Sequence, residues 1–209
     1  MKTSIKKNLN ETEIKIFEKF NNPAKIQDFI NTIPMRNDIM EPIVRSPRSV
    51  LLHKQASCIE GAMLAAVMLA YHGYVPYLLD LKVDTKNNKD CDHVVAVFEI
   101  NGHIGAISKT THAVLRYREP IYSSIRELAM SYFHEYFLDN GKKTLRSYSK
   151  EFPIMKKYGI DWITENKDLY EIACALDESP HIKILTQKML RGLRKADPIE
   201  IKAGKIKEN

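Results

Sequence analysis

The run HVVAVFEI-NG-HIGAIS, residues 93–108, constrains the fold of this chain more than any other stretch. Both flanks are rich in β-branched and aromatic residues, and Asn-Gly is the pair that best tolerates positive φ at both centres of a tight hairpin turn. A two-residue turn at Asn101-Gly102 places Ile100 opposite His103 and Val95 opposite Ser108. Continued to the open end, the same register sets His93 against Thr110 and Cys91 against His112. Alternation then gathers Val97, Val95, His93 and Cys91 with Ala106, Ser108, Thr110 and His112 on one face. That face is apolar near the turn and polar at the open end, and a catalytic role needs the cysteine helix to cover it. Asp92 falls on the opposite face, diagonal to Lys109, and so is a poor partner for the His93 imidazole.

Upstream, HKQASCIEGAMLAAVMLAYHG changes from polar to Ala-rich at Cys58. Met63, Ala66, Val67 and Ala70 recur at helical spacing, which predicts a helix over 58–72 with Gly73 as a left-handed cap. A thiol at a helix N-terminus meets the positive end of the dipole, so Cys58 is expected to have a lowered pKa and to react first with a thiol probe. Gln55 precedes it closely enough to be a candidate oxyanion donor beside the Cys58 backbone N–H. A cysteine opening a helix, followed by a histidine opening a strand, is the order found in thiol enzymes that use imidazole as a base.

The remaining features bound the possibilities. With 209 residues, 44% hydrophobic and 28% charged, the chain reads as a single soluble domain. No apolar run approaches the roughly 20 residues that span a bilayer, and the N-terminus lacks an apolar signal core. Three cysteines, an odd number without close pairing, point to reduced thiols and a cytoplasmic setting. Residues 181–209 hold eight of the Lys and Arg against three Asp and Glu, so they carry most of the net charge of +6. Such a basic segment is able to engage nucleic acid or an acidic partner, but is more often a solvated helix end. The chain divides into a helical N-terminal segment 1–47, a core over 48–140 and a helical basic segment over 141–209. Helices are expected in ETEIKIFEKF, after the Asn22-Pro23 cap, from Ser124 to Leu138, and over 161–176 and 182–193; 34–55 reads as an extended connection and VPYLLDLKV as a strand. Gly-rich phosphate loops, CxxC pairs and the HExxH zinc motif are absent from the sequence, so no cofactor is expected. The one alternative metal set is Cys91, His93 and His112.

Residues 48–112 resemble the transglutaminase-like branch of the papain-like cysteine protease superfamily. The likeness rests on Cys58 at a helix start, His93 on the following strand, and a polar residue, Ser108, after a Gly-containing turn and a second strand. It implies an α+β fold in which the cysteine helix packs on a small antiparallel sheet, with further N- and C-terminal helices. It also implies hydrolysis or acyl transfer at an amide, peptide or related acyl bond of a protein, peptide or small amide. Cys58 would be the nucleophile, His93 the base and Ser108 the orienter. The chain departs from the pattern in having Ser108 where Asp is usual, and Ile59-Glu60 where Trp often follows the cysteine. The alternative is an inactive scaffold that binds nucleic acid or a protein through its basic segment. No feature of the sequence points to a membrane or to a particular oligomeric state.

Overall fold

A computed structural model describes residues 2–36, 43–84 and 90–207. Among these residues, five helices precede the first strand: α1 Lys2–Asn8, α2 Glu11–Lys19, α3 Pro23–Asn31, α4 Pro47–His53 and α5 Cys58–Tyr71. The strands are β1 Tyr77–Val83, β2 His93–Ile100, β3 His103–Ser108, β4 Arg118–Tyr122, β5 Leu145–Ser149 and β6 His181–Lys183. Between and after them come α6 Ile125–Phe133, α7 Ile154–Tyr158, α8 Tyr170–Asp177, α9 Gln187–Arg191 and α10 Pro198–Gly204. The class is α+β, and the strands form one antiparallel sheet in the order β4-β3-β2-β1-β5-β6.

The hairpin forms as its sequence dictates. Asn101 and Gly102 take φ of 52° and 79°, and the ladder runs from Ile100↔His103 to Val95↔Ser108. It stops there, because β3 ends at Ser108. The expected pairings of His93 with Thr110 and Cys91 with His112 do not form; on the other edge of β2, His93 pairs with Leu81 of β1.

Both faces of the central strands are covered, which explains why VVAVF is a continuous apolar run. On one face, α5 is buried from Gly61 to Tyr71 and lies against Val94, Ala96, Phe98 and Ile107. Ile5, Phe17, Ile26 and Ile30 of α1–α3 complete that layer. The other face joins Leu79, Leu81, Val95 and Val97 to Leu128, Ala129 and Tyr132 of α6. The cysteine helix therefore packs on the face opposite the one that carries His93, contrary to expectation. Strands that are apolar on both sides give no periodic signal for which face takes the helix.

Three further expectations need correction. The connection 34–55 is not extended throughout, since Ser46 caps α4 with Pro47 at its first position. The C-terminal third is not all helical: β5 joins β1, and β6 pairs with β5 at the sheet edge, so the sheet extends beyond 48–140 and is larger than expected. Over 161–176 there is a short 3-10 turn, Asp161–Ile163, and then α8 begins only at Tyr170. The polar loop read at DTKNNKD lies mostly outside the described residues. Among those described, no helix is long and apolar enough to cross a membrane.

Candidate functional site

Cys58 is the first residue of α5, and a capping box fixes the turn that presents it. Glu60 Oε2 accepts from the Ser57 N–H at 2.6 Å, while Ser57 Oγ accepts from the Glu60 N–H. Glu60 is fully buried and also meets the Arg36 guanidinium at 3.0 Å and the Arg45 N–H at 2.8 Å. One residue on, Gly61 rests on the chain just past the end of β3. A Cβ there would lie 2.3 Å from Lys109 Cβ, so only glycine permits this approach. The first turn of α5 thus overlies the point where β3 has stopped and β2 continues. Sheet strand no longer separates the two faces at that edge, and Cys58 and His93 line the same cavity of about 300 Å3. Cys91, Thr110, His112 and Tyr136 line it too, and Ile201 and Gly204 of α10 form part of its wall.

His93 is buried, and its Nε2 lies 2.7 Å from Ser108 Oγ. Ser108 is itself fixed from α3. The Gln27 side chain accepts from the Ser108 N–H and donates to the Ser108 carbonyl, both at 2.8 Å. This clamp orients the Gln27 amide and replaces the strand partner that Ser108 lacks on that side. Ser108 is therefore held within hydrogen-bond reach of the His93 ring.

The electrostatics differ from a preformed thiolate–imidazolium pair. Burial pushes the Cys58 thiol up, outweighing the backbone N–H groups of Val94 and Ile59 that bond its sulfur; Asp80 and Cys91 add to the rise. The expectation of a lowered Cys58 pKa is thus overturned, because the cost of desolvating a thiolate exceeds what a helix end supplies. Burial first, then the positive character of His112 and Arg118, lowers His93 to about 4. At neutral pH the pair rests as thiol and neutral imidazole.

Gln55 is exposed and does not line the cavity, so the structure does not bring it to the site. The Asp92 carboxylate is engaged by the Val83 N–H at 2.7 Å. Cys91, His93 and His112 share the cavity but do not converge on one point: among the described residues, only Asp80, Asp92 and Asp177 approach closely enough to share an ion. Sequence reasoning missed Gln27, whose partner lies 81 residues away, and Tyr136, which bonds the Cys91 carbonyl at 3.4 Å. It also treated the basic C-terminal segment as a free tail. Instead, His112 Nδ1 meets the Gly204 carbonyl at 3.1 Å, and the Ala113 N–H donates to the Ile206 carbonyl at 3.1 Å. No protein-family model matches the chain, and no curated protein matches it significantly.

Proposed function

We propose that the protein is a cysteine-dependent hydrolase or acyltransferase of transglutaminase-like, papain-like architecture, acting on an amide, peptide or related acyl bond through Cys58 and His93. The observation that carries this reading is the shared cavity at the open end of the hairpin, together with the orientation of its imidazole. The mechanism uses the tautomer in which Nε2–H donates to Ser108 Oγ, so that the neutral ring keeps its lone pair on Nδ1, the nitrogen left to serve the thiol. As Cys58 Sγ attacks an acyl carbon, the thiol proton passes to His93 Nδ1. Collapse of the tetrahedral species breaks the bond to the leaving group, which takes that proton, and leaves a thioester on Cys58. Water or an amine, deprotonated by the same nitrogen, then takes the acyl group. The Cys58 backbone N–H at the start of α5 is the natural donor to the oxyanion. Ser108 supplies direction without a charge, so it steadies the imidazolium less than a carboxylate does.

The second reading is an inactive binding scaffold. It is favoured by the raised Cys58 thiol and the lowered His93 imidazole, which disfavour a charged resting pair. Turnover of p-nitrophenyl acetate by a Cys91→Ser, Cys174→Ser background separates the two. Enzymatic function predicts an acetyl group mapped to Cys58 and continued p-nitrophenolate release, both lost in Cys58→Ala. Acetylation of Cys58 without further turnover, or none at all, supports the scaffold. A cytoplasmic location and a peptide or small amide substrate belong to the same proposal.

A further inference from the structure

Three carboxylates converge on the face of the sheet that carries α5. Asp80 of β1 pairs with Val94, Asp92 shares the Val94 side by alternation, and Asp177 ends α8. One oxygen from each lies within 4.8 Å of the others. Exposed acidic groups often cluster without consequence, but this group is built differently. Each carboxylate is held by a donor on one oxygen: Asp80 Oδ2 by His181 Nε2 at 3.1 Å, Asp92 Oδ1 by the Val83 N–H at 2.7 Å, and Asp177 Oδ1 by the Lys82 ammonium at 2.7 Å. His181 Nδ1 sits 2.6 Å from the Ser179 carbonyl and donates there, so Nε2 holds Asp80 Oδ2 as a second donor in the imidazolium form, which the bond to Asp80 favours. The other oxygen of Asp80, Oδ1, is sealed from solvent in a residue only 2% exposed and has no hydrogen-bond partner among the described residues. A buried carboxylate oxygen without a donor is costly, and a cation is the ligand that would satisfy it.

We propose that Asp80, Asp92 and Asp177 form a binding site for a hard divalent cation of the Ca2+ class, with Asp80 Oδ1 as the innermost ligand. The donor set is all oxygen, which selects against ions that prefer nitrogen or sulfur. Ca2+ accepts irregular oxygen shells at about 2.3–2.6 Å and completes them with water, which the exposed Asp177 side admits. Mg2+ demands a tighter octahedron at about 2.0–2.1 Å and releases its water reluctantly. His181, the Val83 amide and Lys82 act as the outer contacts that aim the three carboxylates. Asp80 is also a negative neighbour of the Cys58 sulfur, so a cation here would ease formation of the thiolate. The site itself does not depend on the enzymatic reading.

Thermal denaturation of the full chain tests it, after EDTA treatment and exchange into metal-free buffer. Titration with CaCl2 should raise Tm saturably, more than MgCl2 does, while KCl at matched ionic strength should not. Asp92→Asn keeps an acceptor for the Val83 N–H, and Asp177→Asn changes an exposed group; each should weaken the apparent Ca2+ affinity by about ten-fold or more. A wild-type chain without a saturable Ca2+ response overturns the proposal. So does a response that persists unchanged in either folded variant, which would place the ion elsewhere. An equal response to Mg2+ would overturn the assignment to the Ca2+ class.

Discussion

His93 and Ser108 sit on neighbouring antiparallel strands with imidazole Nε2 2.7 Å from the serine oxygen, and both residues are buried. In the proposed reading, this contact leaves the other ring nitrogen, Nδ1, for Cys58. It exists because the Asn101-Gly102 turn fixes the register, and because Gln27 holds the Ser108 backbone from a separate helix.

Gln27→Ala should therefore strand the Ser108 N–H and carbonyl in a buried setting. The expected loss is about 2 kcal/mol of stability, from a cost of about 1–3 kcal/mol per unsatisfied group partly relieved by relaxation. Chemical denaturation measures it. A loss within experimental error would show that the clamp contributes nothing.

The His93 imidazole should stay neutral well below the ordinary histidine range. With a folded pKa near 4 against 6.5 unfolded, the unfolded chain takes up the proton first on acidification. The neutral, buried ring thus contributes stability that is complete above about pH 6.5 and is lost as pH falls toward 4. At about 1.4 kcal/mol per pH unit, the loss is of order 3 kcal/mol. His181 is shifted upward, with its bond to Asp80 as the first cause, so its contribution is already complete below pH 6.5 and does not mask the trend. An NMR titration of the ring reads the value directly, and a His93 midpoint near 6.5 would contradict it. Ser108→Asp should move that midpoint up by placing a carboxylate beside Nε2.

Glu60 supports the cysteine turn from beneath. It joins Arg36, the Arg45 N–H and the Ser57 N–H at a fully buried position. Glu60→Ala breaks a buried ion pair with Arg36 and strands the Ser57 and Arg45 N–H groups, a kind of loss that typically costs about 3–5 kcal/mol. Equilibrium unfolding should show a loss in that range, together with a Cys58 more accessible to alkylation. A loss below about 1 kcal/mol, the scale of an exposed ion pair, would contradict the support role.

Gly61→Ala should be harmful, although alanine is ordinarily the better helix former. The added methyl would meet Lys109 Cβ at 2.3 Å, lifting the first turn of α5 off the chain after β3. Overpacking of this kind costs about 1–3 kcal/mol. Turnover should fall further than stability does, because the shift moves Cys58 directly. An unchanged Tm and unchanged activity would mean that the helix start is free to move.

The sequence made the hairpin, α5 and the placing of His93 and Ser108 on one face legible, because each rests on local chemistry: a turn pair, a period and a cap. The Ser57–Glu60 capping box was also there to be read. Less was available about layers. VVAVF is apolar at every position, so nothing in it said that α5 covers the Val94 side while His93 faces α6. β5 and β6 are short and half-polar, and their strand character comes from pairing with β1 and with each other. The lowered Cys58 pKa expected from a helix N-terminus failed because burial, which depends on the whole fold, outweighed a local dipole. Gln27 and the three aspartates meet only through long-range folding, and no spacing announces them.

The central claim is that Cys58 and His93 act as one unit, and a double-mutant cycle on p-nitrophenyl acetate turnover tests it most directly. In the Cys91→Ser, Cys174→Ser background, Cys58→Ala and His93→Ala should each lower the rate by about 100-fold or more, the scale of lost general-base assistance. The double variant should be no slower than the worse single one, because either change alone disables the shared step. Losses that multiply in the double variant, or a His93→Ala protein as active as its parent, would contradict the account.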